Sequence, residues 1–106
     1  MNKVYTLKYL PLFEKDIDEV RDYIANTLQN PIAAKRLIDE AEKAIITRLS
    51  NPVSFAKYHS VKDRKHPYYA IKVKNYIVFY VVIDDIMEVR RFIYSKRDMS
   101  NWYNVL

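Results

Sequence analysis

YIVFYVVIDDIMEVRRFIY, residues 76–94, decides how this chain folds. Residues 76–83 are apolar throughout, which predicts a central strand covered on both faces. Asp84 and Asp85 supply a turn, and residues 86–94 return as the antiparallel partner. Just upstream, residues 68–74 alternate, with Tyr69, Ile71 and Val73 on one side and Ala70, Lys72 and Lys74 on the other. That is the pattern of a half-buried strand with its lysines on one face. Just downstream, SKRDMSNWY (residues 95–103) mixes cations with aromatics. A sheet that empties into Lys96, Arg97, Trp102 and Tyr103 predicts a rigid platform aimed at something anionic, with function at that rim.

Working outward toward the N-terminus, residues 4–9 alternate β-branched and aromatic residues with polar ones, and Leu10 followed by Pro11 stops them, as an extended pre-proline residue does. This is a first strand. Over residues 12–29 the apolar positions Phe13, Ile17, Val20, Ile24 and Leu28 recur at steps of three and four. Glu14, Asp18, Glu19 and Asp22 load the early turns with acid, favourable to the helix dipole. Asn30 and Pro31 then supply a cap and a first-turn proline, which restart a second helix running to about Leu49. Its inner face is Ala34, Leu37, Ile38, Ala41, Ile45 and Leu49, and Ser50-Asn51-Pro52 ends it. Helices joined by so short a link form an antiparallel hairpin. A looser polar segment, residues 54–67, carries both histidines and Lys57, Lys62, Arg64 and Lys65.

The order strand, helix, helix, three antiparallel strands and a short C-terminal tail gives an α+β fold. The helical hairpin packs on one face of an antiparallel sheet, and the other face is left open or lent to a partner. At 106 residues the chain makes a single domain, 1–106, with one hydrophobic core. It lacks cysteine, which removes disulfides and thiolate metal sites. It also lacks glycine, which excludes phosphate-cradling glycine loops and dinucleotide fingerprints. His59 and His66 have no second ligand at a useful spacing, so no metal and no cofactor is expected. No run approaches the ~18 apolar residues of a membrane span, and Met1-Asn2-Lys3 leads into no signal-peptide core, so a cytoplasmic chain without membrane contact is expected.

The charge is uneven. Residues 1–56 carry 8 Lys and Arg against 8 Asp and Glu, whereas residues 57–106 carry 10 against 5, so the net charge of +5 belongs to the second half. Such a surface attracts phosphate backbones or an acidic protein with steep salt dependence, although small basic proteins are also simply soluble this way.

The chain resembles toxins of the RelE/ParE superfamily. The resemblance covers nearly its whole length and rests on several segments in order. Leu10 and Pro11 lead into FEKDIDEVRDYI; PIAAKRLIDEAEKAI is closed by LSNP; KNYIVFYVVIDD and VRRFIYSKRD follow. It implies the toxin of a type II toxin–antitoxin system, co-expressed with a cognate antitoxin that wraps its sheet in a hetero-oligomer. Branches differ in target. RelE-like members cut mRNA in the ribosomal A site, and ParE-like members poison DNA gyrase.

The RelE-like pattern places an arginine at the end of the last strand and a tyrosine six positions later, here Arg97 and Tyr103, and a lysine on the second strand, here Lys72. Cleaving RNA through its own 2′-hydroxyl needs a base, cations against the crowded phosphate and an acid for the leaving oxygen. The resemblance therefore makes Arg97, Tyr103 and Lys72 the catalytic candidates. Lys74, Arg90, Arg91, Lys96, Trp102 and His66 are candidates for contacting nucleic acid or another target, with Trp102 able to stack a base. The chain departs from that pattern at Ile77, where it has an arginine, and at Ala70, where it has a lysine. Growth arrest by ribosome-dependent mRNA cleavage is the activity the resemblance leads us to expect; those departures leave open the ParE-like alternative, a gyrase inhibitor that needs only a binding surface, and a non-toxic form that binds antitoxin alone. Tyr76 and Tyr80 read as packing residues rather than chemistry.

Overall fold

Strand β1 (Thr6–Tyr9) leads through Leu10 into helix α1 (Pro11–Asp22), and Pro11 occupies the first helical turn, where its missing N–H costs nothing. This is a computed structural model, and it describes residues 3–57 and 65–96. The residue 12–29 helix expected from periodicity is not uniform. After Asp22 the chain widens into a π turn, Tyr23–Thr27, in which the Leu28 N–H bonds the Tyr23 carbonyl. Gln29 then takes a left-handed conformation at φ 52° and ends the helix. Helix α2 (Pro31–Leu49) starts as predicted: the Asn30 side chain accepts the Ala33 N–H at 3.1 Å, and Pro31 follows.

Strands β2 (Tyr69–Val73), β3 (Tyr76–Ile83) and β4 (Ile86–Tyr94) form the expected antiparallel meander. Strand β1 adds to the other side of β4 and runs parallel to it, so the four-stranded sheet is mixed, in the order β1-β4-β3-β2. With glycine absent, the tight turns place Lys74 and Asp84 at left-handed φ of 53° and 54°.

The helices cover one sheet face. Phe13, Ile17, Leu37, Ile38 and Ile45 pack there against Tyr69, Ile71, Val73, Val78, Tyr80, Met87, Val89 and Phe92. Complete burial of side chains this size contributes about 1.5–3 kcal/mol each, so this layer dominates stability. The opposite face departs from expectation. It is not left open: Tyr68, Phe79, Val81 and Ile93 are buried there as a second cluster, with Ala70, Ile77 and Ile83 at its edge. The reason lies in β3, where Phe79 and Val81 are as apolar as Val78 and Tyr80 and must be covered on their own side. Among the described residues, no helix is long and apolar enough to cross a membrane.

One irregularity shapes the last strand. Phe79 pairs with Arg91 and Tyr80 with Val89, so Arg90 is an extra residue in β4, a β-bulge. The bulge shifts the alternation. Met87 and Val89 face the helices, and three residues on, so does Phe92, while Ile93 joins the far cluster.

Candidate functional site

A cleft of about 900 Å³ opens between the end of α1 with its π turn and the end of β4. One lip is Tyr23, Ile24 and Leu28; the other is Tyr94 and Lys96, with Asn75 and Tyr76 between them. The π turn builds the first lip by carrying Tyr23 and Leu28 outward, where they are 50% and 54% exposed. The bulge builds the second. By resetting the phase of β4 it turns Phe92 and Tyr94 toward Tyr76, which stacks on Phe92 at 4.9 Å and meets Tyr94 edge-on at 5.4 Å. Burial, with the neighbouring Tyr94 and Tyr23 phenols adding to it, raises the Tyr76 hydroxyl above its usual acidity range, so it stays protonated at neutral pH.

At the back of the cleft lies a buried ion pair. Arg91 donates from Nε and Nη2 to the two oxygens of Asp16, at 2.7 and 3.1 Å, and the Phe92 N–H donates to the same carboxylate at 3.0 Å. Both side chains are about nine-tenths covered.

Among the described residues the expected cations are spread: Arg91 and Lys96 line the cleft, and Arg90, Lys72 and Lys74 lie away from it. Arg91, a candidate for contacting nucleic acid or another target, is paired with Asp16 at the back of the cleft, its guanidinium drawn inward by a carboxylate on α1. Arg90 is held on the far face by Glu88 at 2.8 Å and by the Tyr68 hydroxyl at 3.0 Å. Burial alone would lower the affinity of Arg90 for its proton, but those two partners outweigh it, and the net effect is a rise. Lys74 sits in the β2–β3 turn, 3.6 Å from Glu40. Lys72, exposed on β2, shares the far-face side with Ala70, across from Ile77. Lys96 instead lines the cleft on the helix side. His66 is half-buried before β2. Arg97, Trp102, Tyr103 and His59 lie outside the described residues. Among the described residues no group of carboxylates and histidines is arranged to hold a metal.

Tyr80 behaves as the packing residue expected, but with a polar end that patterning does not show. Its hydroxyl donates to the Pro52 carbonyl at 2.7 Å and accepts from Arg48 at 2.8 Å. Asp16 also escapes a reading by acidic turns, yet its signal is present: it falls beside Phe13, Ile17 and Val20 on the apolar stripe of α1, where a carboxylate needs a buried partner. The Arg90-Arg91 doublet, which breaks the period of two in β4, marks the bulge in the same way.

The family model for the ParE toxin of the type II toxin–antitoxin system, parDE, matches residues 7–99. No curated protein sequence matches the chain. Among solved structures, a chain of the chromosomal ParDE toxin–antitoxin system from P. aeruginosa superposes with a TM-score of 0.68 at 12% identity, covering 88% of this chain and 98% of that one. The E. coli DinJ-YafQ toxin–antitoxin complex gives 0.53 at 10% identity over 85% and 91%. YafQ from E. coli strain BL21(DE3) gives 0.52 at 14% over 85% and 92%. At these identities the likeness is one of fold.

Proposed function

Because the chain belongs to the ParE toxin family of type II toxin–antitoxin systems, we propose that it arrests growth by binding and blocking its target rather than by cutting RNA, with DNA gyrase as that target. One observation carries this reading: the described cations expected to act on a phosphate are divided between two sheet faces, and Arg91, Arg90 and Lys74 each have a carboxylate partner. Stabilising a pentavalent phosphate needs several donors converging within hydrogen-bond reach of one point. Blocking a protein needs only a shaped surface, and the cleft lips at Tyr23, Leu28, Tyr94 and Lys96 supply one.

The proposed partner that neutralises it is a cognate antitoxin in a cytoplasmic hetero-oligomer. Exposed aromatic and aliphatic lips beside Lys96 fit a segment that brings apolar side chains and carboxylates together. Ribosome-dependent mRNA cleavage is the second reading, favoured by exposed Lys72 together with the Arg97 and Tyr103 spacing of the sequence.

Induction of the chain alone, followed by the first process to fail, separates these. DNA breaks with an SOS response, and inhibition of purified gyrase by the purified chain, are the expected results. Rapid loss of translation with mRNA cut at codon boundaries would overturn the gyrase reading in favour of cleavage. Growth unaffected by a folded chain would leave an antitoxin-binding protein without toxicity.

A further inference from the structure

We propose that Asp16 is a positioning residue: through Arg91 and the Phe92 N–H it fixes the phase of β4 after the bulge and so determines which side chains face the cleft. A strand without the bulge would continue the series Met87, Val89 with Arg91 and Ile93 toward the helices, and would turn Phe92 and Tyr94 to the far side. The observed strand does the reverse for Phe92, Ile93 and Tyr94.

The two registers differ in what α1 must accommodate. In the observed one, the extra residue at Arg90 leaves the Phe92 N–H aimed at α1, and the Asp16 carboxylate receives it at 3.0 Å. The same carboxylate takes both forks of Arg91, which lets a guanidinium lie beneath the helix while Phe92 takes the core position. Three donors on one carboxylate satisfy a geometry that the unbulged register cannot reproduce, because there the Phe92 N–H turns to the opposite edge of the strand and its side chain to the opposite face. A buried ion pair adds little net stability over well-packed apolar residues, and Arg91 faces the helices in either register, so what separates the two registers is the Phe92 N–H, which the Asp16 carboxylate receives only in the bulged strand. Its effect here is therefore on register more than on stability. The consequence reaches function because Tyr94 and Lys96, two residues apart, form one lip of the cleft, and the next residue is Arg97.

The functional part of this inference rests on the toxin reading above, whereas the structural part does not. The test uses the full chain carrying D16L/R91M, which replaces the ion pair with apolar side chains of similar size, and D16N, which keeps the shape of Asp16 but removes its charge. Proton NMR reads the Tyr76–Phe92 and Tyr76–Tyr94 ring contacts, thermal melting reads stability, and induction in cells reads growth arrest.

The expected result for D16L/R91M is a melting temperature close to that of the parent chain, with both ring contacts weakened or lost and growth arrest lost with them. A merely structural pair would move melting and leave the contacts alone. Retention of both ring contacts in a stable D16L/R91M overturns the proposal. Should that variant not fold, D16N decides by the same two contacts. If the parent chain itself causes no arrest, the toxin reading fails, and the ring contacts still test the register.

Discussion

Arg48, in the last turn of α2, donates a 2.8 Å hydrogen bond to the hydroxyl of Tyr80 in the middle of β3 while its guanidinium lies 3.5 Å over the ring of Phe55. Helix, central strand and following loop thus meet at one buried hydroxyl. Tyr80 is fully buried, and its own O–H goes to the carbonyl of Pro52, which is also fully buried.

This arrangement ranks two substitutions. Tyr80→Phe leaves the buried Pro52 carbonyl without its donor and Arg48 with only the Ala70 carbonyl at 3.5 Å and the Phe55 ring, and is expected to cost about 1–3 kcal/mol. Arg48→Met keeps the Tyr80 to Pro52 bond and some of the contact with Phe55, and is expected to cost about 0.5–1.5 kcal/mol. Urea unfolding measures both. An Arg48→Met cost larger than that of Tyr80→Phe contradicts the hydroxyl as the centre of the network.

Alkaline stability follows from the tyrosines. Tyr80 is raised above the usual phenol value by burial, with the Arg48 bond opposing; Tyr76 is raised by burial and neighbouring phenols; Tyr9 is raised by burial and by Glu42. A raised folded value means the native state holds these protons more tightly than the unfolded one. Their stabilisation is complete below the unfolded value of about 10 and is lost as pH climbs through the higher folded values. A pH titration followed by tyrosinate absorbance and circular dichroism is expected to show a group of phenols ionising late, together with loss of structure. Complete ionisation of all tyrosines near their ordinary value in a folded chain contradicts this.

The glycine-free turns leave room for improvement. Gln29 is exposed and holds a left-handed backbone after the π turn. A residue with a Cβ loses roughly 1–2 kcal/mol there relative to its preferred conformations, while glycine adds backbone freedom to the unfolded chain. Gln29→Gly is therefore expected to raise the urea midpoint slightly, by less than ~1 kcal/mol in stability. A clear destabilisation would show that the Gln29 side chain contributes something that its exposure hides.

The helix start behaves oppositely. Asn30→Ala removes the acceptor for the Ala33 N–H and is expected to cost about 1 kcal/mol, whereas Asn30→Asp keeps it and is near neutral. Equal losses in the two variants would contradict the cap.

The cleft lips give a binding prediction. Tyr94→Ala and Lys96→Glu are expected to weaken binding to the cognate antitoxin, the lysine variant through a shallower salt dependence. Lys43→Ala on the outer face of α2 is expected to leave binding unchanged. Isothermal titration at two salt concentrations reads this, and unchanged affinity in both lip variants removes the cleft from the interface.

Local patterning was enough for the helix starts, the meander and the inward faces of α2 and β2, because a cap such as Asn30 with Pro31, a turn such as Asp84-Asp85 and a period of two or 3.6 act over a few residues. Even the Ala34, Leu37, Ile38, Ala41 and Ile45 face stands buried as the spacing implies. Resemblance in segment order carried the fold family, and the matching family model extends over most of the chain.

Tertiary structure alone decided the parallel seat of β1 beside β4, the burial of the far sheet face and the two-sided placement of the candidate cations. It also decided that Arg91 would turn inward. Asp16 and Arg91 are 75 positions apart, and no local rule joins a carboxylate on a helix to a bulge on the last strand. Periodicity specifies which side of an element is apolar, but the partner of a buried charge, and the register that such a partner imposes, are set only when the elements pack.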